Sequence, residues 1–109
     1  MEKRINQGPF FHIVFFWLKK PQSNEDKIQL ELELKNFIKK NKQLITSHVG
    51  KPAGTKRTVV DNTYDLSLIL TFDSKEDQEI YQSDPFHLEF IDKASKLWDR
   101  VQVYDSLKV

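Results

Sequence analysis

The chain has 109 residues, with 17 Lys and Arg against 16 Asp and Glu, three His and no Cys. Its length predicts a single domain over residues 1–109, since most domains hold about 100–150 residues. The charges nearly cancel and are interspersed, which leaves no basic stripe for nucleic acid, and the lack of cysteine excludes disulfides, thiolate chemistry and Cys-ligated metal.

Lys3 and Arg4 precede an apolar run, Phe10 to Leu18, as in a signal peptide. No small-residue cleavage site follows, however. Lys19, Lys20 and Pro21 come at once, and the run is far short of the roughly 20 residues of a membrane span. The expectation is a soluble, cytoplasmic protein with no membrane partner.

Phe10 to Lys19 is aromatic and β-branched and reads as a strand. Phe10, His12, Val14, Phe16 and Leu18 share one side, and Phe11, Ile13, Phe15 and Trp17 the other, so both faces need cover and the strand belongs mid-sheet. Ser23 or Asn24 caps a helix running to about Asn41, with Leu30, Leu34, Phe37 and Ile38 at helical spacing and Ile28 and Leu32 off that stripe. A short strand follows over Gln43 to Lys51, then a loop with Pro52 and Gly54. Tyr64 to Phe72 is the cleanest strand, with Leu66, Leu68, Leu70 and Phe72 on one face. Ser74 and Asp77 resemble a capping box opening a helical segment, which Pro85 interrupts or restarts and which continues to about Trp98. Arg100 to Val109 alternates Val101, Val103, Asp105 and Leu107 against polar neighbours, as a closing strand does.

The order is βαββαβ, which predicts an α+β fold of the ferredoxin-like kind, a four-stranded antiparallel sheet with two helices on one face. The face bearing Phe11, Ile13, Phe15 and Trp17 is then left open. An aromatic patch of that size predicts a homodimer in which two such faces pack together.

The stretch Tyr81-Gln-Ser-Asp-Pro-Phe-His87 places an imidazole in the first turn of a helix, after an Asp84 cap and Pro85 at the first helical position. The positive helix end, with its unpaired N–H groups, disfavours a second positive charge, and the dipole and burial both push His87 toward the neutral form that accepts a proton. His87, Ile91, Ala94 and Trp98 recur at helical spacing, flanked by Phe90 and Leu97. His12 on the first strand and Tyr81 one segment earlier can reach the same side. These residues fit a general base in a small apolar pocket, although taken singly buried polar groups satisfied by the backbone are the commoner case. The three histidines are too far apart for a metal motif, no Gly-rich phosphate loop appears, no serine sits in a nucleophile elbow, and His48 has no obvious partner.

Together, His12 with Val14, Phe16 and Lys19, the Tyr64-Asp65-Leu66 strand ending in Phe72, the Tyr81 to His87 stretch, and Val103-Tyr104-Asp105 resemble the stress-responsive α/β-barrel (Dabb) domain family, within the dimeric α+β barrel superfamily. The resemblance covers nearly the whole chain. It implies a protomer whose sheet pairs face to face with a second copy, and for most members no assigned activity. The family includes a plant polyketide cyclase that closes a linear chain by an aldol reaction without metal or cofactor. Its catalytic His and Tyr look equivalent to His87 and Tyr81, and its first-strand His to His12. Phe90 and Trp98 resemble its pocket positions, and Phe16 and Leu68 join them as expected lining. Asp84 stands where that enzyme has a first His, and Ile91 stands for a small residue, so a long polyketide tail is not carried over. The expectation is cofactor-independent acid/base chemistry of the aldol cyclase or lyase type, with His87 as base, Tyr81 on a carbonyl and His12 in support. Two alternatives stand beside it, a non-catalytic dimer that binds a small hydrophobic ligand, and a cofactor-free oxygenase.

Overall fold

In a computed structural model, which describes residues 7–109, strand β1 (Phe10–Leu18) lies inside the sheet, as its two apolar faces require. It pairs antiparallel with β3 (Leu66–Phe72) on one side and β4 (Trp98–Leu107) on the other. β2 (Leu44–Gly50) joins the outer side of β3, so the strand order is β2-β3-β1-β4. Three helices complete the α+β, ferredoxin-like fold: α1 (Asn24–Lys40), α2 (Lys75–Gln82) and α3 (Pro85–Ala94).

Ser23, rather than Asn24, caps α1, its hydroxyl accepting from Asp26 N at 3.1 Å. Leu30, Leu34 and Phe37 form its buried stripe, whereas Ile28 and Leu32 point to solvent. These three residues, Tyr81 from α2, and Phe90 and Ala94 from α3 pack on Phe10, Val14, Phe16 and Leu18 of β1 and the even-numbered leucines of β3. Each fully buried Leu or Phe there contributes about 1.5–3 kcal/mol. The helices reach across β2, β3 and β1 but leave β4 at the edge, where Val101 and Val103 stay exposed.

Pro85 ends one helix and begins another instead of kinking a single one. Asp84, restricted by the proline after it, is extended (φ −63°, ψ 133°), and its carboxylate accepts from Phe86 N at 2.8 Å. The second segment also stops before Trp98. It tightens into a 3-10 turn over Ser95–Leu97, and Trp98 opens β4, paired with Leu18 at a bulge. β4 therefore starts two residues before Arg100 and ends at Leu107.

The outer face is less open than the alternation of β1 predicts. Phe11, Ile13, Phe15 and Trp17 are partly buried. Phe15 packs on Tyr64 at 4.8 Å between ring centroids, the Trp17 indole N–H donates to Thr63 Oγ1 at 2.9 Å, and the Arg100 guanidinium lies 4.1 Å over the Trp17 ring. Tyr64 and Asp65 belong to the connection before β3. Asp65 stitches it to β1, accepting from Leu18 N and donating its own N–H to Phe16 O, both at 2.8 Å.

Candidate functional site

Two histidines, one from the first strand and one from the last helix, meet around Tyr81. His12 is buried on the helix-covered side of β1, and the register of β1 with β4 sets it opposite Asp105. The His12 Nδ1 to Asp105 Oδ1 distance is 2.6 Å. A carboxylate only accepts, so Nδ1 carries the hydrogen and Nε2 is left to face other partners. Asp105 sits on the edge strand and is half exposed.

His87 occupies the third position of α3, after the Asp84 cap and Pro85. Its Nδ1 lies 3.3 Å from Gln82 O. That carbonyl can only accept, which assigns Nδ1–H and leaves the lone pair of the neutral ring on Nε2. Burial is the main cause that pushes the His87 pKa below its ordinary value, and the charge of His12 acts the same way. The Gln82 carbonyl and the Asp84 carboxylate oppose them.

Tyr81 lies between the two imidazoles. Its ring centroid is 4.4 Å from that of His87 and 5.5 Å from that of His12, with Phe37 and Phe72 closing the other sides. The residue is almost wholly buried, yet among the described residues no group accepts a hydrogen bond from its hydroxyl. Burial pushes its pKa far up, with the Asp105 and Asp84 charges adding to the shift, so the phenol stays protonated and available as a donor.

All three residues line a cavity of about 260 Å³ between the sheet, α2 and α3. Phe16, Leu68, Phe90, Ile91 and Trp98, named from sequence, line it too. Asp105, Gln82, Val14, Val101 and Val103, not expected as lining, complete the wall. The signal for Asp105 was present as the one acidic residue in the Val101, Val103, Leu107 row, but its partner becomes visible only in the register. Ile91, Val101 and Val103 are each 37–41% exposed, so they form the mouth, and Ile91 narrows the entrance without filling the interior.

His48 lies on the opposite sheet face against Gly50 and takes no part. A larger groove of about 640 Å³ runs between α1 and β2, but its polar lining is Glu33, Lys35, Asn36, Lys39 and Ser47, solvated groups with no imidazole or phenol among them. Among the described residues no group of three or more His, Cys, Asp or Glu is placed to hold a metal ion, and no helix is long and apolar enough to cross a membrane.

The strand order and helix placement define the ferredoxin-like class of α+β proteins. Within it, a family model for stress responsive A/B barrel (Dabb) domains matches residues 10–107, and the chain belongs to that family. Among similar solved structures is At3g17210 of Arabidopsis thaliana, at 25% identity and a TM-score of 0.78, with 93% of this chain and 96% of that one covered. A dimeric ferredoxin-like protein of unknown function from Thermobifida fusca is 16% identical with a TM-score of 0.76, covering 98% and 99%. The hydroxynitrile lyase of Passiflora edulis is 19% identical with a TM-score of 0.77, covering 95% and 96%; at that identity the likeness concerns the fold. No functionally curated protein matches the chain.

Proposed function

We propose that this single-domain chain is a cofactor-independent acid/base catalyst of the aldol or lyase type, acting as a homodimer with one small apolar pocket per protomer. The observation that carries the reading is the pairing of opposite hydrogen-bonding needs in one cavity. His87 gives its Nδ1–H to Gln82 and keeps an acceptor at Nε2, while the neighbouring Tyr81 phenol is a donor without a partner among the described residues. In the reaction His87 Nε2 takes a proton from a C–H or O–H of the substrate. Tyr81 donates to the oxygen on which negative charge develops, and His12, held by Asp105, supports the polar end. The imidazolium then returns that proton, to the new alkoxide in an aldol addition or to the departing carbanion in a cleavage, so His87 ends neutral again. The homodimer packs through Phe11, Ile13, Phe15 and Trp17, in keeping with the dimeric form of the Thermobifida fusca protein, and the assembly is cytoplasmic.

A second reading, a non-catalytic binder of small hydrophobic molecules, is favoured by the largely apolar wall of Phe16, Leu68, Phe90 and Trp98. One experiment separates the two. Proton exchange into small aryl ketones and cleavage of aromatic hydroxynitriles are followed by NMR in deuterated buffer, with the wild type and with His87→Ala. Catalysis predicts turnover that falls by about 10²–10⁴ in the variant. Binding without turnover supports the second reading, and turnover that survives the substitution rules out His87 as the base.

A further inference from the structure

The charges around the cavity bear on what enters it, and this inference rests on the pocket proposed above as the site. Its volume of about 260 Å³ falls below the usual range of drug-sized sites. It equals the space of roughly nine water molecules, room for one aromatic ring with a substituent of two or three atoms. Phe16, Phe90 and Trp98 offer ring faces and edges to such a body.

Apart from the two imidazoles, the charged groups at the polar end are carboxylates. Among the described residues no Lys or Arg lines the cavity, and Arg100 lies on the other face of the sheet, over Trp17. Asp105 is in the wall on one side of Tyr81. Asp84 stands outside the wall, its N–H bonded to Tyr81 O at 3.1 Å, and it caps α3, so the positive helix end that would otherwise attract an anion already holds a carboxylate. The field of both reaches the Tyr81 hydroxyl, where each holds the phenol proton more tightly. The imidazoles complete the set of titratable groups, His12 bonded to Asp105 and His87 to a backbone carbonyl.

We infer that the cavity accepts uncharged or cationic single-ring aromatic compounds carrying a carbonyl or hydroxyl group and turns away carboxylates, with Asp105 and Asp84 setting that choice. A hydroxyl or carbonyl oxygen accepts from Tyr81 and leaves no net charge against the two aspartates. A carboxylate in the same pose has its own charge beside theirs, in a site partly shielded from solvent.

Benzamide, benzoate and benzamidine are nearly equal in size and carry charges of zero, minus one and plus one. Their binding is titrated by NMR at pH 8, where an ordinary imidazole is neutral, from the shifts of the Tyr81 and His87 ring protons. Benzamide and benzamidine are expected to bind at least about tenfold more tightly than benzoate. Asp105→Asn is expected to bring benzoate to within about threefold of benzamide. Asp84→Asn, which keeps a good cap, should narrow the gap by a smaller factor. Benzoate binding as tightly as benzamide in the wild type overturns the inference, as does a failure of all three to bind at millimolar concentration. A gap that neither variant changes removes the two aspartates as its cause. Because the readout is binding alone, turnover that survives His87→Ala with the charge order intact would sink the proposed base and leave this selection standing.

Discussion

Tyr81→Phe is a perturbation in which a structural role and a ligand-facing role predict opposite signs. The substitution keeps the ring and its packing on His87, His12, Phe37 and Phe72, at centroid distances of 4.4–5.8 Å, and deletes only the hydroxyl. A phenol bonded inside the fold would leave its former partner unsatisfied and cost about 1–3 kcal/mol. Here no partner exists among the described residues, and the residue is almost fully buried with its hydroxyl meeting the cavity. Its removal relieves a desolvation cost of about 1–3 kcal/mol, reduced by whatever water the cavity supplies. The expected outcome is a stability unchanged or raised by up to about 1 kcal/mol, equivalent to a rise in Tm of at most about 4–8 °C. Turnover or affinity for an oxygen-bearing aromatic should fall at the same time. Urea denaturation and calorimetry of the free protein provide the first measurement, and the NMR titration the second. Stability reduced by more than about 1 kcal/mol would show that the hydroxyl serves the fold and would refute the reasoning. Tyr81→Ala is the control: it removes the ring and should cost about 3–5 kcal/mol.

Other outcomes follow from the same geometry. If His87 serves as the proposed base in its neutral form, its lowered pKa places the acid limb of kcat/KM below about 6.5; a limb above 7 would contradict the burial of the ring. The folded chain also releases the His87 proton more readily than the unfolded one, so this group's share of stability is present above about pH 6.5 and lost as pH falls through the folded pKa, a trend that urea titrations of wild type against His87→Gln should isolate. Gly8→Ala places a Cβ 2.1 Å from the Phe72 carbonyl oxygen, a backbone atom with little freedom to yield, and should destabilise by about 1–3 kcal/mol in thermal unfolding. Ile13→Asp, in the middle of the outer face between Ile69 and Tyr104, should convert a dimer to monomers in light scattering; an unchanged mass would remove that face from the interface.

The two-sided alternation of β1 specifies a central strand, as found between β3 and β4, and with the βαββαβ order it points to the class of fold. The Asp84-Pro85 pair marked a helix boundary because proline restricts the residue before it, and the same pair located His87. The exit from α3 was harder to read. His87, Ile91, Ala94 and Trp98 fit helical spacing, yet the last of them begins β4, and its indole reaches the same cavity from a different element. Periodicity reports a shared face and does not tell which backbone supplies it. The cover that Thr63 and Tyr64 give to Trp17 and Phe15 depends on how a long connection folds back, which no local pattern encodes. Asp105 was legible as a residue and not as a partner, because pairing with His12 is set by register across the whole chain.

That pairing closes a span of 93 residues between the first strand and the last. Closing such a span costs conformational entropy before its contacts repay it, which slows non-local pairing. As the chain emerges from synthesis, β1, β2, β3 and all three helices are present before the segment bearing Asp105 exists. His12 thus spends that interval without its carboxylate, and the cavity lacks one wall until β4 docks along β1. Until then a chain with its helices packed lacks the wall that Trp98, Val101, Val103 and Asp105 supply, and the His12–Asp105 contact marks the docking of β4.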